Sequence, residues 1–157
     1  MVRLGFQMAI PELTAYGLLP HGVHPCTLQE AEAFLCSNDH RQAIWAGFEQ
    51  FLEWTSHLPR PVSLLIDGSF VSNKALPNDI DLVVDITGCM PAAQAQWVEA
   101  WNGGFAHAKA AYNVDFYPFV VGAGNDFSAF FQYVRIEDAL RRGISPATRK
   151  GLLKVSG

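Results

Sequence analysis

Two aspartates separated by one residue, Asp79 and Asp81, follow a Gly68-Ser69 pair in the stretch LLIDGSFVSNKALPNDIDLVVD. Nine residues lie between the serine and the first aspartate. Residues i and i+2 of a β-strand point to the same side, so both carboxylates are predicted to share one face while Ile80 faces the core. Neighbouring carboxylates resist joint ionisation unless a cation lies between them. The pair therefore predicts a site for a divalent metal, Mg²⁺ or Mn²⁺.

A third acid, Asp115, lies near the start of a later predicted strand in NVDFYPF. If the two strands are neighbours, three carboxylates share one face of a sheet. Such a set suits metal-assisted phosphoryl or nucleotidyl transfer. Asp79 and Asp81 would bridge metal ions, and Asp115 would support a second metal or accept the proton of an attacking hydroxyl.

The Gly68-Ser69 pair is predicted to form a phosphate-binding turn after an earlier predicted strand, Val62–Ile66. Gly68 has no side chain, which lets the backbone approach a phosphate closely, and Ser69 adds a hydroxyl and an N–H. Lys74 in the spacer is either a further phosphate contact or an ordinary surface lysine. These three residues are the candidate nucleotide-binding set.

Each of these features also has a simpler interpretation. Asp79 and Asp81 would meet only water on an exposed edge strand, and Gly68-Ser69 would then be a plain turn. Asp67 and Asp85 are predicted to cap turns. Five of the 11 basic residues lie in the last 17 positions and form either a patch for triphosphate or RNA, or a solvated face: Arg141, Arg142, Arg149, Lys150 and Lys154.

The elements that must position these residues are predicted from periodicity and from helix caps. Residues 1–26, rich in proline and glycine, are predicted to form an irregular arm. Thr27 and Glu30 form a capping box for a helix over Leu28–Cys36, and Asn38 or Asp39 caps a second one. The core-facing side of the second helix carries Ile44, Phe48, Phe51, Leu52 and Thr55.

Strands and further helices follow. The predicted strands are Val62–Ile66, Asp79–Val84, Val114–Val120 and a short Gly151–Val155. A helix is predicted over Ala92–Trp101, closed by Gly103-Gly104, and Phe127–Tyr133 has helical length, although an aromatic-rich strand fits it as well. The order predicts an α/β (α+β) fold, with helices and strands mixed along the chain.

Composition limits the class of protein. A chain of 157 residues, 50% hydrophobic and 17% charged, is predicted to be one globular domain spanning 1–157. The formal net charge of -4 argues against general DNA or RNA coating. Three cysteines without a C-x-x-C pair, no membrane-length apolar run and no signal-peptide pattern predict a cytoplasmic location and no membrane partner.

The run from Gly68-Ser69 to Asp79-Ile80-Asp81-Leu82 resembles the signature of the polymerase-β-like nucleotidyltransferase superfamily, and Asp115 is similar to its third carboxylate. The resemblance implies the nucleotidyltransferase fold, a small mixed sheet flanked by helices. It also implies magnesium, an NTP donor, and transfer of a nucleoside monophosphate to a hydroxyl of a protein, RNA or small molecule. The stretches LLPHGVHPCTLQE, DGSFVSNKALPNDIDLVVD and RKGLLKV also resemble small bacterial and phage nucleotidyltransferase-like proteins. Minimal nucleotidyltransferases of toxin–antitoxin and phage-defence modules are similar in the central motif.

Two other functions remain open from the sequence. One is a non-catalytic nucleotide-binding or regulatory module on the same fold, such as an antitoxin or a phage counter-defence protein. The other is a subunit whose acceptor site is completed by a partner chain or by a homodimer.

Overall fold

A mixed five-stranded sheet organises the part of the chain that the computed structural model describes, residues 10–120, 132 and 134–156. The elements in chain order are β1 Val23–Cys26, α1 Leu28–Leu35, α2 Asp39–Trp54, β2 Ser63–Asp67, a 3₁₀ turn Ser69–Val71, β3 Ile80–Asp85, α3 Pro91–Tyr112, β4 Val114–Phe119, α4 Ile136–Arg142 and β5 Leu152–Ser156. The predicted mixture of helices and strands around a small mixed sheet is confirmed.

The strands lie in the order β1-β5-β2-β3-β4. β1 is parallel to β5 and β3 is parallel to β4, whereas β2 is antiparallel to both of its neighbours. The hairpin partners β2 and β3 are joined through the Gly68-Ser69 turn and its spacer. This topology brings the C-terminal end of β2 beside the N-terminal ends of β3 and β4.

The main core lies between one face of the sheet and helices α1, α2 and α3. Its fully buried members from the strands and from α2 include Phe48, Phe51, Ile66, Leu82 and Phe116. Because side chains alternate along a strand, the intervening residues face the opposite side. A smaller cluster of buried residues occupies that side: Leu65, Val83, Phe119 and Leu152.

The first two helices begin where their caps predict. The Thr27 hydroxyl accepts from Glu30 N–H and the Glu30 carboxylate accepts from Thr27 N–H, both at 3.1 Å, so the capping box is present. Asn38 caps α2 by accepting from Arg41 N–H at 2.8 Å. The predicted core face of α2 is confirmed.

The predicted end of the third helix at Gly103-Gly104 is wrong. Helix α3 continues through both glycines to Tyr112 and ends where Asn113 adopts a left-handed conformation. A Cβ on Gly104 would lie 2.5 Å from Trp54 Cη2, so this glycine lets α3 approach α2 closely. Gly104 therefore allows close contact between α3 and α2 and does not end α3.

Other predicted boundaries need smaller corrections. Residues 23–26 of the predicted irregular arm form β1 and pair with β5. β2 and β3 each begin one residue later than predicted, so Asp79 lies just before β3. The last strand is confirmed at Leu152–Ser156, and α4 was not predicted. Apart from Gln132, the segment predicted at 127–133 lies outside the described residues.

Across the described ranges, every helix is too short or too polar to cross a membrane.

Candidate active site

Three aspartates lie in one row across the central and edge strands of the sheet. In the strand register Asp67 of β2 pairs with Asp81 of β3, and Asp81 pairs with Asp115 of β4. Side chains of register partners lie on the same face of a sheet, with neighbouring strands about 4.8 Å apart. The predicted neighbourhood of Asp81 and Asp115 is therefore present, and Asp67 extends it by one strand.

Asp79 lies beside this row, half-buried at the entrance to β3. Among the neighbouring charges that raise the pKa of Asp81, that of Asp79 has the largest effect, followed by Asp67 and Asp115. Three carboxylates thus act on Asp81 in the described part of the chain. We call Asp67, Asp79, Asp81 and Asp115 the acidic cluster.

The centre of the acidic cluster is Asp81, whose pKa is raised to about 7. Burial is the main cause, because it removes water from the ionised carboxylate, and the three other aspartates add repulsion. Lys150 acts in the opposite direction. Asp81 therefore exchanges readily between a neutral and a charged form near neutral pH, unless a cation is bound beside it.

The turn that follows β2 packs directly against Asp81. Gly68 has φ +82°, a conformation that favours glycine, and a Cβ there would overlap Asp81 Oδ2. Ser69 comes next and opens the 3₁₀ turn, where its carbonyl accepts from the Ser72 hydroxyl at 2.6 Å. The predicted phosphate-binding turn and the central carboxylate therefore touch.

Asp67 is the most deeply buried member of the acidic cluster, with its side chain 2% exposed. Burial raises its pKa to about 6, while Lys150 and a hydrogen bond from Gly68 N–H act against that rise. Lys150 Nζ lies 3.6 Å from Asp67 Oδ1, which is an ion-pair contact but too long for a good hydrogen bond. Oδ1 has no hydrogen-bond partner among the described residues.

At the other end of the row, Asp115 has two partners. Lys109 Nζ of α3 lies 3.7 Å from its carboxylate, and the Tyr117 hydroxyl donates a hydrogen bond to it. Burial and the Asp115 charge raise the pKa of Tyr117 to about 12, so the phenol stays protonated and remains a donor. Asp115 therefore has one hydrogen-bond donor and one longer ion-pair contact.

The candidate residue Lys74 lies in the exposed part of the spacer. Its carbonyl accepts from Arg41 Nη2 at 2.7 Å, and Arg41 also donates to the carbonyls of Phe70 and Ser72, both at 2.6 Å. Buried Arg41 thereby fixes the path of the chain after the Gly68-Ser69 turn. The positive charge that acts on both Asp67 and Asp81 comes from Lys150.

Two of the C-terminal basic residues have different partners. Arg142 of α4 binds Asp138 at 2.9 Å and donates to Tyr16 O and Asn73 Oδ1, so it fastens α4 to two loops. Lys150 instead belongs with the acidic cluster. Sequence reasoning missed the roles of Asp67, Lys150 and Tyr117. For Asp67, the available signal was a charged residue at the end of an otherwise apolar strand.

The acidic cluster offers carboxylate oxygens, the ligand type that Mg²⁺ prefers. The repulsion that Asp79, Asp67 and Asp115 exert on Asp81 also suits a hard divalent cation, which would relieve it. Within the described ranges, no group of three His, Cys, Asp or Glu side chains already stands in metal-holding positions. Mg²⁺ commonly uses only one or two carboxylates, with water and substrate phosphates completing its coordination, so the residues fit.

Comparison with known proteins places the chain in a family. Residues 11–156 match the model of DUF6932, a family of unknown function, and the chain belongs to that family. A search of curated proteins found no match. A search of solved structures found none either.

Proposed function

We propose that the protein is a metal-dependent nucleotidyltransferase, which moves a nucleoside monophosphate from an NTP onto an acceptor hydroxyl. The observation that carries the proposal is the row formed by Asp67, Asp81 and Asp115, with Gly68 packed against Asp81 Oδ2. A backbone turn for phosphates and a set of carboxylates for metal are the two parts that phosphoryl-group chemistry needs.

In this proposal Asp79, Asp81 and Asp115 would hold Mg²⁺ or Mn²⁺. When bound, the cation offsets the negative charge that develops on the transferring phosphoryl group. The aspartates are suited to this role because their own repulsion is relieved by the same charge. Gly68 lets the backbone approach the phosphates closely, and Ser69 presents its backbone N–H and its hydroxyl to them.

The acceptor would approach from the Asp115 side of the row. Its hydroxyl oxygen forms a bond to the α-phosphorus, the bond from that phosphorus to the α–β bridging oxygen breaks, and pyrophosphate leaves with the electron pair. Asp115 accepts the hydroxyl proton. Lys109 and Tyr117 hold the Asp115 carboxylate in position for that transfer.

The acceptor is a hydroxyl on a protein, an RNA or a small molecule, and a toxin–antitoxin or phage-defence setting fits such modification. A partner chain or a second copy of the chain would supply any surface that selects a polymeric acceptor. The protein would work in the cytoplasm, where NTP and Mg²⁺ are available.

The test is transfer of label from α-³²P-labelled NTPs in the presence of Mg²⁺, with cell extract and the protein itself as acceptors. We expect labelled product with the wild type and none with Asp79→Asn or Asp81→Asn. Glu99→Gln, an exposed acid on α3, is the matched control and should keep full activity. Equal labelling by wild type and the Asp79→Asn/Asp81→Asn variant would refute the proposal.

A second candidate function is a non-catalytic nucleotide-binding module. It is favoured by the two lysines of the site, because Lys150 and Lys109 already offset the charges of Asp67 and Asp115. Such a module would bind NTP with an affinity that does not require Mg²⁺ and would release it unchanged. Calorimetric titration with and without Mg²⁺, followed by product analysis, separates the two functions.

A further inference from the structure

We propose that Lys150 is a phosphate-binding residue of the candidate site, where it stabilises the leaving pyrophosphate, and that Asp67 is a positioning residue that holds the Lys150 ammonium group there. This inference rests on the proposed nucleotidyltransferase function and adds to it. It assigns to the C-terminal segment before β5 a role that the Gly68-Ser69 to Asp79-Asp81 signature does not contain.

The backbone around Lys150 is fixed on both sides. Lys150 N–H donates to Gln132 O at 2.8 Å, and Gly151 N–H donates to Leu19 O at 3.0 Å. A Cβ on Gly151 would overlap the carbonyl oxygen of Pro20, so the chain packs tightly at this point. The lysine side chain therefore starts from a defined position beside the sheet.

The Lys150 side chain is 17% exposed and ends 3.6 Å from Asp67 Oδ1. A buried carboxylate at the end of a strand is costly unless a cation compensates it, so Asp67 holds the ammonium group close. An ammonium group has three donors, and contact with one carboxylate leaves donors for phosphate oxygens. Lysine commonly binds phosphate in this way, as a point charge.

The position of Lys150 along the row gives it a specific role. Asp67 lies at one end of the row, Asp81 in the middle and Asp115 at the other end. In-line transfer places the attacking and leaving oxygens on opposite sides of the α-phosphorus. With the proton acceptor at the Asp115 end, the leaving pyrophosphate lies at the Asp67 end, where the positive charge of Lys150 is.

Contact with the turn supports the same placement. Gly68 N–H donates to the Asp67 carboxylate, and Gly68 also packs against Asp81. The ammonium of Lys150, the phosphate-binding turn and the central carboxylate are therefore joined through one short stretch of chain. Lys74 lies in the exposed loop and has no corresponding contact with Asp67 among the described residues.

The test compares binding of each of the four NTPs with binding of the corresponding NMP, by calorimetry in Mg²⁺. If Lys150 contacts the β- and γ-phosphates, Lys150→Met should weaken NTP binding about tenfold or more and leave NMP binding unchanged, as expected for one lost charge-assisted hydrogen bond. Lys150→Arg should restore part of the preference. Lys154→Met removes a half-buried lysine four residues along in β5 and should keep the wild-type preference.

Each outcome decides one proposal or both. Wild-type transfer together with an unchanged NTP preference in Lys150→Met would overturn the Lys150 assignment alone. Loss of that preference in a protein that never transfers label would support Lys150 as a phosphate contact and refute the proposed function. A wild type that binds no NTP would overturn both.

A second variant guards against misfolding. Lys150→Met leaves the buried Asp67 carboxylate without its ion-pair partner, which could destabilise the fold. Asp67→Asn/Lys150→Met removes both charges of the pair and leaves no unpaired charge behind. The double variant should fold and should also lose the NTP preference. If it retains the wild-type preference, Lys150 does not bind phosphate.

Discussion

Replacing Asp81 by asparagine should stabilise the metal-free fold while it removes the proposed transferase activity. The pKa of Asp81 is raised to about 7, because the folded protein buries this carboxylate and surrounds it with Asp79, Asp67 and Asp115. Its ordinary value is 3.8. Ionised Asp81 therefore costs free energy in the folded state that the unfolded chain does not incur.

The size of this effect follows from the pKa difference. A difference of roughly 3 pKa units corresponds to about 4 kcal/mol when both states are ionised, and relaxation of the site would reduce the measured value to the order of 1–4 kcal/mol. A raised carboxyl pKa means that the folded state binds more protons than the unfolded state between about pH 4 and 7. The contribution of Asp81 to stability is therefore greatest below pH 4 and is lost as pH rises through about 7.

The assay is urea unfolding of wild type and Asp81→Asn in EDTA at pH 5 and pH 8. We expect the variant to be more stable at pH 8 and the difference to be smaller at pH 5. Glu99→Gln removes an exposed charge on α3 and should show no such pH dependence. An Asp81→Asn variant that is less stable than wild type at pH 8, or whose stability difference from wild type does not change with pH, would show that ionised Asp81 does not destabilise the fold.

Three further predictions concern the turn, helix α3 and the buried arginine. Gly68→Ala should cost on the order of 1–3 kcal/mol and abolish NTP binding, because the added Cβ overlaps Asp81 Oδ2 at a φ of +82°. Gly104→Ala should destabilise α3 because of Trp54, whereas Gly103→Ala, with open space around its Cβ, should stabilise the helix by up to about 1 kcal/mol. Arg41→Lys should cost about 3 kcal/mol or more, since one ammonium cannot replace five hydrogen bonds to carbonyls. Urea unfolding measures each change, and calorimetric titration measures NTP binding.

The outcomes that would contradict these predictions are distinct. Normal NTP binding by Gly68→Ala would separate the turn from the nucleotide site. Equal effects of alanine at positions 103 and 104 would show that the contact of Gly104 with Trp54 does not limit α3. A fully stable Arg41→Lys variant would mean that the spacer after the turn holds its path without the guanidinium.

Local signals in the sequence predicted the parts of the fold that depend on local chemistry. The capping residues Thr27 and Asn38 predicted where α1 and α2 begin, because their side chains bond to backbone groups three residues away. Gly104 misled the prediction of α3 because a glycine can end a helix or admit a neighbouring helix. Only the packing of Trp54 distinguishes the two.

The sequence predicted the part of the candidate site that depends on the alternation of side chains along a strand. Alternation of side chains along β3 predicted that Asp81 points away from the core residues Ile80 and Leu82. Placing Asp115 beside Asp81 required the further assumption that their strands are neighbours, which the pairing of β3 with β4 confirms. The partnership of Asp67 with Lys150 joins positions 83 residues apart in the sequence, across the pairing of β2 with β5. No local sequence pattern specifies the register of those strands, so the contact between Asp67 and Lys150 could not be predicted from the sequence.

The proposed function requires that a divalent cation, brought with a nucleotide, neutralises the acidic cluster. The most direct test is a Mn²⁺ titration followed by electron paramagnetic resonance, with and without NTP, on wild type and on Asp79→Asn/Asp81→Asn. We expect wild type to bind Mn²⁺ more tightly in the presence of NTP and the double variant to lose this binding. Equal Mn²⁺ binding by the two proteins, or binding that NTP does not affect, would contradict it.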